Sequence, residues 1–248
     1  MTVIKSKDEV SIMRQSGYTV AAVLQRLREE VKPGIKTKQL DAIAASEFQK
    51  HGAKASFKGY RGYPASICVS VNDEIVHGIP GERRLNEGDI VSIDCGALVK
   101  GFHGDATVTM GVGKISNEAQ RLIDVTEAAL MEGIKAARCG ARLGDISAAI
   151  QEYVEARGFS IVREYSGHGV GRNLHEDPLV PNFGSHGTGP ALRKGMTLAL
   201  EPMVNIGGWQ TRLSNNQWTV LTADGSLSAH FEHTIAISDG EPEVLTVL

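Results

Sequence analysis

Apolar residues recur at helical spacing in the N-terminal part of the chain, and this pattern predicts two helices. The first covers 10–31, and Ser6 and Glu9 before it have the S-x-x-E spacing of a capping box. In the second, an apolar stripe begins after Thr37, a candidate N-cap, and ends at Gly52. Each helix would bury one apolar face against the rest of the chain.

Runs rich in β-branched residues, bounded by Gly, Asn or Asp, predict short strands after these helices. In the first part of the chain the runs are 66–71, 90–94 and 105–111. Two further helical patterns follow, over 117–137 and 145–157. The remaining strand-like runs are 160–164, 197–201, 203–206, 217–221 and 230–237. This succession of elements indicates an α+β fold.

One arrangement of residues occurs twice along the chain. The segment 32–52 aligns with 138–158, and 85–94 aligns with 192–201. Coincidence between generic helix and turn patterns is the alternative explanation. The matches keep chain order at a nearly constant offset, however, which favours an internal duplication.

The duplication bears on domain organisation. The 248 residues contain no Ser/Pro-rich linker, so 1–248 is predicted to form one domain. Its two pseudo-symmetric halves would cover about 1–115 and 116–248. A chain of this length can bury a sizeable core without disulfides or a structural zinc.

The composition excludes several classes of function. A net charge of −3 provides no electrostatic footprint for nucleic acid. The three cysteines form no CxxC pair, which argues against a zinc finger and fits free thiols in a reducing compartment. The N-terminal segment is charged throughout, and the chain has no apolar run long enough to span a membrane. We therefore expect a cytoplasmic protein.

Four carboxylates occupy repeat-related positions. Asp94 ends the strand IVSID, and Glu201 ends its counterpart MTLALE. Asp105 and Glu232 begin the strands that follow in each half. Antiparallel pairing would bring Asp94 close to Asp105. A solvated strand-end carboxylate is the alternative for one residue, but four acids near a pseudo-twofold axis would repel one another. Two divalent cations would remove that repulsion.

The eight histidines divide by their local context. His77, His168 and His175 lie beside glycines, proline turns or repeat positions, and are candidates to face the acids, although a solvated loop histidine is the alternative for each. His230 and His233 flank the last acid, and both are expected to point away from its face and to be supporting or structural residues. His51, His103 and His186 are expected to be ordinary surface or turn residues. No GxSxG, dinucleotide or P-loop motif accompanies them.

Five ordered segments are similar to those of bacterial type I methionine aminopeptidases. They are GYRGYPASICVSVNDEIVHGIPG, IDCGALVKGFHGDATVTMGVG, SGHGVGRNLHEDP, LALEPMVN and SLSAHFEHT. The resemblance extends from residue 1 to about 246. It implies the pita-bread fold, in which two pseudo-symmetric halves of antiparallel sheet are covered by helices and surround a dinuclear metal site.

The resemblance also implies roles for individual residues. The five metal ligands of the family fall on Asp94, Asp105, His168, Glu201 and Glu232. Asp105 and Glu232 would bridge two ions, Asp94 would bind one ion, and His168 with Glu201 would bind the other. Oxygen-rich ligation with one imidazole suits Mn, Fe, Co or Zn.

The catalytic and substrate-binding residues follow from the same resemblance. His77 and His175 match histidines that face the substrate, and Glu201 would also act as acid and base. The pocket for the methionine side chain would consist of Phe57, Tyr60, Tyr63, Cys68, His77, Leu174, His175 and Trp218. Many relatives have a smaller residue at the Phe57 position and an aromatic residue at the Leu174 position.

The expected function is metal-dependent hydrolytic removal of N-terminal methionine from nascent proteins and peptides, with a preference for a small second residue. The enzyme would be a methionyl aminopeptidase that acts as a monomer, close to ribosomes, with neither nucleic acid nor membrane as a partner. The alternatives are another pita-bread peptidase, such as an X-Pro aminopeptidase or prolidase, and a non-catalytic binding protein of this fold. The presence of all five ligands argues against the non-catalytic alternative.

Overall fold

Helices and short strands alternate along residues 2–248, the part of the chain that this computed structural model describes. The α-helices are α1 (Lys7–Glu30), α2 (Thr37–Lys50), α3 (Asn117–Ala136) and α4 (Leu143–Glu155), and a 3-10 helix covers Tyr60–Gly62. The strands are β1 (Lys54–Ala55), β2 (Ile67–Val71), β3 (Glu74–Val76), β4 (Ile90–Val99), β5 (Phe102–Gly111), β6 (Ser160–Ile161), β7 (Ser166–Gly169), β8 (Glu176–Pro181), β9 (Thr197–Leu200), β10 (Met203–Asn205), β11 (Thr211–Leu213), β12 (Val220–Thr222), β13 (Ser228–His230), β14 (Glu232–Ala236) and β15 (Glu243–Val244).

The predicted start of α1 is confirmed, whereas that of α2 needs correction. The Ser6 hydroxyl accepts the amide of Glu9, and the Glu9 carboxylate accepts the amide of Ser6, so the capping box is complete. In α2 the N-cap is Lys36, and Thr37 is already helical. The Thr37 hydroxyl instead accepts the amide of Gly81 at 2.8 Å. A tertiary contact therefore uses the side chain that local sequence assigned to capping.

The main sheet is antiparallel and combines strands from both halves of the chain. Its order is β1-β4-β5-β14-β9-β7-β8, with β2 also paired to β4 and β15 to β14. Two three-stranded sheets accompany it, β13-β10-β6 and β11-β12-β3. The predicted run 230–237 is divided between two sheets, because β13 pairs with β10 while β14 pairs with β5 and β9.

Strand alternation gives the main sheet two distinct faces. Ile93 and Cys95 on β4 join a buried apolar cluster that also contains Val20 of α1 and Leu122 of α3. Asp94, between them, points to the opposite face. The helices therefore cover the apolar face, and the other face is left for polar chemistry.

Close contact between α1 and β5 depends on a glycine in the strand. A Cβ atom at Gly104 would lie 2.9 Å from the backbone nitrogen of Gly17, which is too close for any larger residue. The absence of a side chain at Gly104 therefore lets α1 approach β5, the strand that carries Asp105. A Cβ atom at Gly17 would instead overlap the carbonyl oxygen of Leu245, so that glycine lets α1 approach the C-terminal segment.

The two halves repeat a specific hydrogen-bond pattern. The amide of Gly34 donates to the carbonyl of Leu85 at 2.7 Å, and the amide of Gly140 donates to the carbonyl of Leu192 at 2.9 Å. Both glycines have φ close to +90°, where a side chain would be strained. We propose that 1–115 and 116–248 are duplicated units of one domain that share the main sheet.

The sequence pattern missed several strands, including β7 and β8. The sequence SGHG of β7 has two glycines and no β-branched residue, so its extended structure depends on pairing with β8 and β9. Elsewhere the elements follow the prediction within a few residues. Over residues 2–248 the longest helices are too polar to cross a lipid bilayer.

Candidate metal centre and substrate cleft

The candidate ligands lie on two adjacent rows across the polar face of the main sheet. In the first row, Asp94 of β4 pairs with Thr107 of β5, and Thr107 pairs with Glu232 of β14. Residues that pair directly across strands share a face, so both carboxylates point to the same side. Glu201 follows β9 directly and lines the same cleft.

The second row contains His168. Its Cα partner is Ala199 of β9, which in turn pairs with Thr234 of β14. The Thr234 hydroxyl donates to the backbone carbonyl of Asp105 at 2.8 Å, and this bond ties β14 to β5 beside the acid. Asp105, His168 and Glu232 each offer a ligand atom within 4.8 Å of the other two. The structure thus brings together side chains that are far apart in sequence.

Several acidic oxygen atoms in this cluster are buried without a partner. Oδ1 of Asp94, Oδ1 of Asp105 and Oε1 of Glu232 accept no hydrogen bond from any residue of 2–248. A buried carboxylate oxygen without a donor is costly, because it has lost its water. Some other positively charged or proton-bearing group must therefore satisfy these atoms.

The pKa values of the acids point to the same conclusion. Burial raises the pKa of Asp94 to about 6. Burial, together with repulsion from neighbouring carboxylates, raises the pKa values of Asp105, Glu201 and Glu232 above their ordinary range. Without a cation the cluster holds protons more tightly than isolated acids do.

A divalent cation fits this donor set. Carboxylate oxygens with one imidazole nitrogen are the ligands that Mn, Fe, Co and Zn accept in proteins. Burial lowers the pKa of His168 to about 4, so its ring is neutral and can act as a ligand. The Nδ1 of His168 lies 2.8 Å from the backbone carbonyl of Gly169, an arrangement that leaves Nε2 free for an ion.

His230 belongs to this cluster, contrary to the prediction. Its Nε2 lies 3.5 Å from Oε2 of Glu201. His230 is paired with Met203, two residues after Glu201, and this register brings the ring to the acid. Residues two apart on an extended segment share a side, so the spacing between His230 and Glu232 could have signalled this position. His233, as predicted, points away, and its Nδ1 lies 2.8 Å from the Thr246 hydroxyl.

His175 lies on the other side of the cluster, between the stacked ring of Tyr60 and the tilted ring of His168. Its ring centroid lies 4.2 Å from that of His168 and 5.2 Å from that of Tyr60. The Tyr60 hydroxyl lies 2.9 Å from Nδ1 of His175. Desolvation and the neighbouring His168 lower the pKa of His175 to about 3, so the ring is neutral near pH 7.

His77 reaches the cleft on a strained segment of backbone. Its φ is +61°, a conformation that is uncommon for residues other than glycine. Its ring lies edge-on to Tyr165 with centroids 6.1 Å apart, and burial lowers its pKa to about 4. Strain of this kind is frequent at functional sites, where the surrounding structure holds the residue in place.

A cavity of about 150 Å³ has the acid cluster at one end and mainly apolar and aromatic side chains along its walls. Its wall contains every predicted pocket residue, namely Phe57, Tyr60, Tyr63, Cys68, His77, Leu174, His175 and Trp218. Arg61, which the sequence interpretation missed, lies at the same cavity. A cavity of this size in an apolar core holds a molecule as large as benzene, so a single amino-acid side chain fits.

Close contacts hold residues in place on two sides of this cavity. A Cβ atom at Gly96 would lie 3.0 Å from the ring of Phe57, so a residue without a side chain leaves room for the ring at this position. On the other side, Glu176 follows His175 and is anchored twice. Its carboxylate lies 2.6 Å from the amine of buried Lys5 and accepts the amide of Asn173.

Comparison with known proteins agrees with this geometry. Residues 11–239 match the model of metallopeptidase family M24. The chain is 53% identical to a methionine aminopeptidase of Clostridium perfringens, over 100% of both chains. A crystal structure of methionine aminopeptidase from Thermotoga maritima superposes with a TM-score of 0.99 at 47% identity, and all of each chain is covered.

A more distant likeness concerns the fold alone. An Xaa-Pro dipeptidase from Bacillus anthracis superposes with a TM-score of 0.79 at 23% identity, over 99% of this chain and 62% of that one. The predicted α+β pita-bread fold is confirmed by these structural neighbours. The chain belongs to metallopeptidase family M24, within which its full-length similarity places it among the methionine aminopeptidases.

Proposed function

We propose that this protein hydrolyses the peptide bond after an N-terminal methionine, and that a small second residue is preferred. The observation that carries the proposal is the position of an apolar cavity for one side chain directly against a cluster of four carboxylates and an imidazole. Such a cavity suits an unbranched thioether side chain, which is flexible and polarisable. The proposal agrees with the activity named for the relatives.

Five residues would hold two divalent ions. We propose Asp105 and Glu232 as bridging ligands, Asp94 as a ligand of one ion, and His168 with Glu201 as ligands of the other. When bound, the ions would supply Lewis acidity and lower the pKa of a coordinated water. The unpartnered oxygens of Asp94, Asp105 and Glu232 support this assignment.

The side chains around the ions would bind and orient the substrate. His175 would donate a hydrogen bond from Nε2 to the carbonyl oxygen of the scissile bond, because Nδ1 is already held by Tyr60. Glu201 would accept the proton that the attacking water gives up and pass it to the leaving amine. His77 would hydrogen-bond near that amine.

The cavity walls would determine specificity and exclude water. Tyr63 and Trp218 meet edge to face with ring centroids 5.1 Å apart. The Tyr63 hydroxyl donates to the carbonyl of Gly78 at 2.9 Å, so this wall is rigid. With the methionine side chain in the cavity, the second residue would lie against the rim, and crowding there would favour small residues.

The physiological setting completes the proposal. The substrates would be nascent polypeptides met close to the ribosome in the cytoplasm, and the enzyme would act as a monomer. A net charge of −3 supports a peptide rather than a nucleic acid as the partner.

The test is a metal and substrate series on the purified full-length chain. Bound metal is measured, removed by chelation, and replaced by Mn, Fe, Co or Zn singly, with anaerobic handling for ferrous iron. Release of methionine from Met-Ala-Ser is then compared with hydrolysis of an X-Pro dipeptide. Metal-dependent cleavage of Met-Ala-Ser alone is the expected result. Preferential cleavage of the X-Pro dipeptide would indicate a prolidase-like enzyme, and inactivity with every metal would indicate a binding protein.

A further inference from the structure

Two imidazoles bracket the carboxylate of Glu201, one on each oxygen. Nε2 of His168 lies 3.6 Å from Oε1, and Nε2 of His230 lies 3.5 Å from Oε2. His168 is the proposed ligand of the same ion as Glu201, so Oε1 is the oxygen on the metal side. Oε2 faces His230 instead.

His230 is held firmly in this position. It is 2% exposed, so the ring is enclosed by protein. Its backbone amide donates to the Thr109 hydroxyl at 2.9 Å, and that hydroxyl donates back to the His230 carbonyl at 2.7 Å. Strand β13 adds the pairing with Met203. The ring is therefore presented to Glu201 by backbone contacts on both sides.

The Nε2 atom of His230 is the unusual feature. It is buried and makes no hydrogen bond within residues 2–248. A separation of 3.5 Å from Oε2 exceeds that of a formed N–H···O bond, but a small rotation of the Glu201 carboxylate would close it. With an ion bound, Glu201 is an ionised ligand, and a nitrogen lone pair aimed at its carboxylate oxygen would be repelled, so electrostatics favours hydrogen on Nε2.

We propose that His230 is a positioning residue that donates its Nε2 hydrogen to Oε2 of Glu201 and so keeps Oε1 directed at the ion. This inference rests on the proposed function of Glu201 as ligand and proton carrier. The donor would restrict rotation of the carboxylate and would prevent both oxygens from chelating the same ion. A charge-assisted bond of this kind is among the stronger hydrogen bonds in proteins.

Three variants test the proposal. His230→Leu removes the donor, whereas His230→Gln can offer an N–H in a similar place. His233→Gln is the matched control, because this neighbouring imidazole contacts Thr246 on the other face. Each is measured for Mn²⁺ affinity by calorimetry and for kcat and KM on Met-Ala-Ser.

We expect His230→Leu to lower kcat at least about tenfold with little change in KM. It should also weaken Mn²⁺ binding, while His230→Gln and His233→Gln stay within about threefold of the original protein. Equal kcat and metal affinity for His230→Leu and the original protein would refute the positioning role. So would an equal loss in His230→Gln with its fold intact.

A second readout needs no turnover. In the ¹⁵N-labelled protein loaded with diamagnetic Zn²⁺, in which Glu201 is ionised as a ligand, we expect the His230 side chain to carry its hydrogen on Nε2, and its resonance to shift in Glu201→Gln. A lone pair on Nε2 would overturn the inference whatever the kinetics. If the original protein fails to cleave Met-Ala-Ser while this signature is present, the proposed function is wrong but the His230–Glu201 contact stands.

Discussion

The hydroxyl oxygen of Tyr60 lies 2.9 Å from Nδ1 of His175, and the two rings stack with an interplanar angle of 24°. A neutral imidazole that accepts a hydrogen bond at one nitrogen carries its hydrogen on the other. We infer that the Tyr60 hydroxyl is the donor in this contact, which would select the tautomer in which Nε2 of His175 is a donor. A residue of the cavity wall would thus also prepare the proposed catalytic histidine.

Removal of this hydroxyl should slow turnover. We expect Tyr60→Phe to lower kcat by roughly fivefold, the value of about one neutral hydrogen bond, with a smaller change in KM because the ring remains. Steady-state kinetics on Met-Ala-Ser measure both parameters. Tyr18→Phe is the control, since Tyr18 contacts His51 instead. An unchanged kcat in Tyr60→Phe would show that His175 does not need this partner.

Glu201→Gln should abolish most activity without harming the fold. The amide cannot carry the proton to the leaving amine, and we expect kcat/KM to fall at least about a hundredfold. The variant also removes one negative charge that repels Asp94, so the metal-free form should unfold at the same temperature as the original or higher. Glu243→Gln, at an exposed ion pair with Arg14, is the control. Near-normal turnover in Glu201→Gln would contradict the proposed role.

Stabilisation by metal should increase with pH. The folded pKa of Asp94, about 6, lies above its ordinary value, so the metal-free native state binds the extra proton between about pH 4 and pH 6. That contribution to stability is complete below pH 4 and is lost as pH rises through 6. Bound metal replaces the proton, so the gain in unfolding temperature on addition of Mn²⁺ should grow from pH 5 to pH 7.5. Thermal unfolding with Mn²⁺ or with chelator measures it, and a gain that shrinks with pH would argue against metal at these carboxylates.

A loss of side-chain volume at Phe57 should be partly offset by a gain of side-chain volume at Leu174, because both side chains line the cavity. Phe57 and Leu174 belong to the same buried cluster beside the metal centre. We expect Phe57→Leu and Leu174→Phe each to raise KM for Met-Ala-Ser about tenfold, since small changes in an apolar pocket have effects of this size. The double variant should recover part of the loss, because it restores the total volume. Phe48→Leu, in the core outside the cavity, should lower stability but leave KM unchanged. Additive losses in the double variant would mean that the two side chains do not share a pocket.

Much of the architecture follows from local sequence. The capping box at Ser6, the four α-helices and the main strands have signals within a few residues of each element. The acids Asp94 and Asp105 could be located because repeat positions mark them, but the prediction that they stand at strand ends was wrong, since both lie inside longer strands. Strands such as β7 were missed, since glycine-rich segments become extended only when neighbours pair with them.

The sequence by itself determined the order and type of most elements, and it predicted which residues would carry chemistry and that two related halves would supply them. Only the tertiary structure decided which atoms meet. Thr107 joins Asp94 to Glu232 because three strands pair in one register, His230 reaches Glu201 because β13 pairs with β10, and Tyr60 meets His175 across the cleft. Local patterns predict on which face of its own helix or strand a side chain lies. Its partners depend on the packing of distant elements, which is determined by the folding of the whole chain.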